Sequence, residues 1–147
     1  MNYQYNIPDQ SFAGDFSGIT TSNENYRASM IATGNKKSFL VFHHHKYLTV
    51  PVNSIAYIYV RFDATIIATF DRQEYTINYS LDQVQQLVPP QQFFRLNRQY
   101  LINFTAIKET EHYFARKLLV IPVVAVKDKL IVSKERARSF LDWLENR

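Results

Sequence analysis

The 147-residue chain contains no cysteine, which excludes a disulfide framework, a thiolate metal site of the zinc-finger kind and a cysteine nucleophile. A reducing cytoplasm is an adequate home, and cytoplasmic localisation is expected. Glycine is almost as scarce: all three glycines, Gly14, Gly18 and Gly34, precede Phe39. Neither a glycine-rich phosphate loop nor a G-x-S-x-G nucleophile elbow can be built from Phe39 onward. No apolar run approaches the ~20 residues of a membrane span, and Met1-Asn2-Tyr3-Gln4-Tyr5 has neither the basic cluster nor the apolar stretch of a signal peptide. Carboxylates are outnumbered by Lys and Arg, 13 to 17. They stand singly beside bases or at turns, as Asp63, Asp71 and Asp128 do, so no pair offers itself as general acid and base. Neither an enzyme nor a cofactor is expected.

Histidine offers one cluster, His43-His44-His45, with His112 the only other histidine. Successive side chains of a strand point to opposite faces, so three neighbours do not converge on one ion. The run reads as a strand end entering a polar turn, and no metal is expected.

The excess of positive charge is uneven. The chain totals +4; the first 35 residues hold Arg27 against Asp9, Asp15 and Glu24, a net −2, which leaves +6 for the remainder. That remainder is a candidate polyanion binder, a statement about partners and not about fold. Residues 1–37 are polar, contain every glycine and show no sustained period, so they read as an N-terminal arm or linker. Tyr3, Tyr5, Phe12, Phe16 and Tyr26 are more aromatics than a plain spacer needs, and part of this arm is expected to pack on the body or a partner. Residues 38–147 form the one folded domain.

From Phe39 onward, short β-branched and aromatic runs alternate with polar breaks: Phe39 to His44, Tyr47 to Val50, Ile55 to Phe62, Thr65 to Phe70 and Glu74 to Tyr79. These predict strands. Connections as short as Phe62-Asp63-Ala64 and Asp71-Arg72-Gln73 predict antiparallel hairpins, because parallel pairing needs long crossovers. Ser80 with Gln83 three residues on, Leu81, Val84 and Leu87 at helical spacing, and Pro89-Pro90 as a stop predict a short capped helix. Phe93 to Leu96, Tyr100 to Ile102, Ile107 to Phe114, Lys117 to Ile121 and Lys129 to Val132 continue the strands. A last helix begins at Ser133, with Ala137, Phe140, Leu141 and Leu144 as its apolar stripe. The fold class is mainly β: an antiparallel, strand-rich domain with two or three short helices.

Three places carry candidate chemistry. Lys134 and Arg136 lie in the first turn of the last helix, where cations oppose the macrodipole and only Glu135 offsets them. The same arrangement makes a phosphate site of backbone N–H groups, dipole and side-chain charge. Asn97-Arg98-Gln99 interrupts the alternation between two apolar anchors, which predicts a rigidly held, exposed stretch whose side chains are of the kinds that read base edges. Arg95, inside an apolar run, is expected in a structural ion pair. The connection from Arg61 to Thr65 is the third and weakest.

The order of these pieces resembles the LytTR family of bacterial DNA-binding domains, output domains of response regulators. The resemblance runs from about Phe39 to Leu144. Its centre is Phe93-Phe94-Arg95-Leu96-Asn97-Arg98-Gln99-Tyr100-Leu101-Ile102-Asn103, similar to the family's aromatic-Arg-aliphatic-His-Arg-Ser-Tyr-aliphatic-aliphatic-Asn signature. Val52 to Ile58, Tyr79-Ser80-Leu81, Ile107 and Ile131-Val132-Ser133-Lys134 stand around it in the family's order. Asn97 replaces the usual His, Gln99 the usual Ser, Lys134 the commoner Arg, and Glu135 an often basic residue. The resemblance implies a transcription regulator that lays loops into successive major grooves of double-stranded DNA. Arg98, Lys134 and the connection from Arg61 to Thr65 match its contact positions; with Asn97 and Arg136 from the reading of the residues above, the expected contact residues are Arg61, Thr65, Asn97, Arg98, Lys134 and Arg136. The resemblance also implies repeated sites and weak self-association with a dimer on DNA. Some 37 residues cannot form a receiver domain of ~120, so either a stand-alone regulator controlled by expression or by a signalling partner, or a domain of a longer chain, is expected. The alternative reading is a β-rich protein-interaction module whose basic surface meets an acidic partner. RNA binding ranks third, because no strand-borne aromatic platform is evident.

Overall fold

The computed structural model describes residues 34–147. Ten strands and two α-helices follow one another as β1 (Ser38–His43), β2 (Lys46–Pro51), β3 (Ile55–Arg61), β4 (Ala64–Thr69), β5 (Glu74–Ile77), α1 (Leu81–Leu87), β6 (Phe93–Arg95), β7 (Tyr100–Asn103), β8 (Ile107–His112), β9 (Leu118–Pro122), β10 (Leu130–Val132) and α2 (Lys134–Glu145). The strands form three antiparallel sheets: a β1–β2 hairpin, a five-stranded sheet ordered β5-β4-β3-β7-β6, and a three-stranded sheet ordered β10-β9-β8. The expected mainly β, antiparallel fold with short helices is what forms. The last residues before β1 are tied to the body by backbone bonds. Lys36 N–H donates to the Leu87 carbonyl (3.0 Å) and Val52 N–H to that of Lys37 (2.9 Å). The rest of the arm lies outside the described residues.

The five-stranded sheet is the middle layer, and both its faces are covered. On one side Ile55, Ile58, Ile67 and Leu101 meet Leu81, Val84 and Leu87 of α1 and Phe39, Val41 and Val50 of the hairpin. On the other side Tyr57, Tyr59, Ala68, Tyr100 and Ile102 meet Leu118 and Val120 of β9, Leu130 and Val132 of β10, and Phe140 of α2. A strand covered on both faces reads as a continuous apolar run, which is why β3 is Ile-Ala-Tyr-Ile-Tyr-Val-Arg without alternation. Asn103, wholly buried, ties β7 to β3 and caps the turn that follows: its Nδ2 donates to the Ile55 carbonyl (2.8 Å), and its Oδ1 accepts from the Thr105 N–H and hydroxyl (3.0 Å each).

Both helices start where their sequence places them. Ser80 and Gln83 form the reciprocal capping box, with Gln83 N–H on Ser80 Oγ at 3.1 Å and Ser80 N–H on Gln83 Oε1 at 2.9 Å. In α2 the expected stripe needs correction at one position. Leu141 is 43 % exposed, and Trp143 packs in its stead, tilted against Phe94 at 5.2 Å and donating from Nε1 to the Pro90 carbonyl at 3.0 Å. A stripe of three or four positions per two turns covers one flank only. Ala137, Phe140, Trp143 and Leu144 occupy it.

The shortage of glycine shows in the turns. His44-His45, Phe62-Asp63 and Ala115-Arg116 all have positive φ, as does Arg72. In the β1–β2 and β3–β4 hairpins these pairs are two-residue loops closed by His43 opposite Lys46 and Arg61 opposite Ala64. Two successive positive φ values give the primed turn that matches strand twist, a task usually left to Asn-Gly or Gly-Gly.

Candidate nucleic-acid interface

The stretch between β6 and β7 is fixed from beneath by Arg95. Its guanidinium, in a residue only 9 % exposed, donates from Nε to the Asn97 carbonyl (2.7 Å) and from one terminal nitrogen to the Arg98 carbonyl (3.0 Å). The other donates to Asp82 (2.7 Å) and Gln85 (3.0 Å) of α1. The expected structural ion pair is therefore present, and it doubles as a clamp on the loop backbone. The Arg95 hydrogen bond, more than its charge alone, holds the Asp82 carboxyl below its ordinary value, and Arg136 adds a smaller pull.

Asn97 works from above. Its Oδ1 accepts from the Gln99 (2.7 Å) and Tyr100 (3.1 Å) N–H groups, and its Nδ2 donates to the Ile131 carbonyl at 2.6 Å. This is an Asx turn bonded across to β10. Its acceptor oxygen and one amide hydrogen thus serve the fold, and Asn97 fixes the shape of the loop. Arg98, next to it, is exposed.

Backbone bonds bring two further loops to this one. Ser133 N–H donates to the Leu96 carbonyl at 3.1 Å, which sets the start of α2 beside Asn97 and Arg98. Val60 N–H donates to the Gln99 carbonyl at 3.1 Å, which sets the end of β3 and the β3–β4 turn on its other side. Lys134 is exposed at the first position of α2. Ser133 makes no side-chain cap bond, and the unsatisfied donors of a first turn face an incoming anion.

Arg61 lies across the Tyr59 ring at 5.3 Å and reaches Asp128 at 3.4 Å. With side chains 34 % and 53 % exposed, such a pair contributes ~0–1 kcal/mol, so Arg61 can leave Asp128 for a phosphate at little cost. Asp128 also accepts from the Tyr100 hydroxyl at 2.7 Å, as Glu74 does from Tyr59 at 2.9 Å. Burial, reinforced by that bond, pushes the Tyr59 hydroxyl up to about 12, and raises that of Tyr100 likewise. Both tyrosines stay neutral donors, stacked on each other at 5.6 Å, and form a fixed wall behind the loops.

Two expected contact residues stand elsewhere. Thr65 is 6 % exposed, in β4 between Val60 of β3 and Ile77 of β5, so its side chain is held inside the sheet. Arg136 lines a groove of about 460 Å³ shared with Gln85, Phe94, Arg95 and Trp143, near enough to Asp82 to pull on its carboxyl. Arg61, Arg98 and Lys134 remain together. A fourth basic element was not singled out in the sequence. Leu118 pairs with both His112 and Val132, so the β8–β9 turn with Phe114, Arg116 and Lys117 lies at the α2 end of the sheet. The run Arg116-Lys117 is visible in the sequence, but only the register says which end of the sheet it reaches.

A family model for the LytTr DNA-binding domain matches residues 45–145. The chain belongs to the LytTr DNA-binding domain family. The match runs from the β1–β2 turn to the end of α2 and takes in all three loops. A solved LytTr DNA-binding domain from Bacillus cereus is similar in fold, with a TM-score of 0.67 at 21 % identity over 75 % of this chain and 98 % of that one. No curated protein matches the sequence. No helix among the described residues is long and apolar enough to cross a membrane. Within this LytTr fold Arg61 ends β3, Arg98 lies between β6 and β7, and Lys134 begins α2.

Proposed function

We propose that the domain, taken as residues 38–147 with 1–37 as an arm, is the DNA-binding part of a transcription regulator. It recognises a specific duplex sequence by setting loops into the major groove. The observation that carries this is the joining of three loops at one edge by Val60–Gln99, Ser133–Leu96 and Asn97–Ile131 hydrogen bonds, with Arg61, Arg98 and Lys134 as their cations. Arg98, exposed on a clamped loop, is the base reader, since an Arg fork matches the O6 and N7 acceptors of guanine. Lys134 with the uncapped start of α2, and Arg61 once released from Asp128, bind phosphates, which position the protein without reading sequence. Two domains bind neighbouring repeats, so specificity comes from their spacing as well as from each loop set.

Selection of randomised duplex DNA by the purified protein tests this. A short repeated motif is expected to enrich, and binding should weaken with salt. Two neutralised phosphates, those met by Lys134 and Arg61, imply roughly 12-fold lower affinity at 200 than at 50 mM salt. Absence of any enriched motif together with no duplex binding in low salt would overturn the reading in favour of a protein partner for the basic face.

A further inference from the structure

The tip of the β3–β4 hairpin places an aromatic ring where the fold has no use for one. Phe62 is 94 % exposed, and among the described residues no other ring or cation packs on it. Its φ is +52° and that of Asp63 +62°. Positive φ is tolerated by Gly, Asn and Asp and is a marked exception for a bulky side chain. The first residue of such a loop would fold better as asparagine. Phe62 thus costs the fold something in backbone conformation and returns no packing. Positive φ recurs at His44, His45, Arg72, Ala115 and Arg116; what sets Phe62 apart is a large apolar ring at such a position, almost wholly exposed.

The surroundings identify the ligand group. Arg61 is drawn back over Tyr59 and toward Asp128, so the foremost groups of the hairpin are the Phe62 ring and the Asp63 carboxylate. A carboxylate at the tip is repelled by phosphates, so the hairpin does not end on the backbone of a duplex. Base edges fit both groups. The apolar feature of the major groove is the C5-methyl of thymine, and a carboxylate accepts from the N4 amino group of cytosine. Resting on the DNA-binding reading above, we infer that Phe62 is a specificity-determining residue whose ring lies against the 5-methyl group of one thymine in each bound site.

The test replaces each thymine of the duplex enriched by selection, one at a time, with deoxyuridine, which removes the methyl group alone. One position per repeat is expected to lose about fourfold in affinity with the wild-type protein, the worth of one buried methyl group. That loss should vanish in Phe62→Ala and Phe62→Asn. Phe62→Asn should also keep or raise the thermal midpoint, which separates the contact from the fold. Indifference to uridine at every position, or a uridine penalty that persists in both variants, would overturn the role of Phe62. A hairpin wedged between base pairs belongs with the first of these outcomes. Failure of the wild-type protein to prefer the enriched duplex at all would instead overturn the DNA-binding reading.

Discussion

Arg95→Ala is expected to lower the unfolding free energy by about 3 kcal/mol, read as a shift of the urea midpoint at unchanged slope. The replacement removes four hydrogen bonds from one guanidinium. Two of its acceptors are backbone carbonyls of residues 97 and 98, and a buried carbonyl left without a donor costs about 1–3 kcal/mol. Arg95→Lys should recover little, because one ammonium cannot span Asp82, Gln85 and both carbonyls as a planar fork does. The same clamp sets an acid limit. The Asp82 carboxyl is held below its ordinary 3.8 by Arg95. Its contribution is thus complete above that unfolded value and is lost as pH falls through the lower folded one. Asp82→Asn should remove that acid step from the stability profile. A midpoint shift worth under 1 kcal/mol for Arg95→Ala would contradict the clamp.

Arg98→Ala should leave the unfolding midpoint unchanged, since the side chain is exposed and its clamped group is the carbonyl, which alanine keeps. Binding is where the loss falls: about 1–3 kcal/mol on the enriched duplex, a drop of roughly 5- to 150-fold. On scrambled duplex the loss should be only that of one surface charge. Competition of the two duplexes for wild-type and variant protein measures both. An equal loss on the two would make Arg98 a phosphate contact and move base reading to another residue.

How far the sequence reaches is instructive at particular positions. The capping box at Ser80, the strand runs and the hairpins rest on neighbours in the chain, and each formed as its local pattern requires. Arg95 was legible as buried, because a lone cation in an apolar run needs a partner. Asn97 was not legible as a fastener. Asn, Arg and Gln in a row look alike as readers of bases, and only the approach of Ile131, 34 residues away, takes up the Asn97 amide. Thr65 looked like the flank of an exposed turn. Its burial follows from the sheet order β5-β4-β3, a long-range fact that no local period contains. Phe62 read as the end of a strand because aromatics favour strands, and its left-handed backbone conformation has no counterpart in the composition of the turn.

On the proposed function, the β3–β4 turn, the residue 97–99 loop and the start of α2 form one nucleic-acid surface. Titration of the isotopically labelled protein with the enriched duplex, followed by backbone amide NMR shifts, tests it most directly. The expected result is a continuous set of shifted amides over residues 61–64, 97–99 and 133–134, extending to 114–117. The β1–β2 hairpin, with Leu40, Phe42 and Tyr47 on its outer face, should stay unperturbed. Shifts concentrated on that hairpin, with the three loops unmoved, would contradict the account.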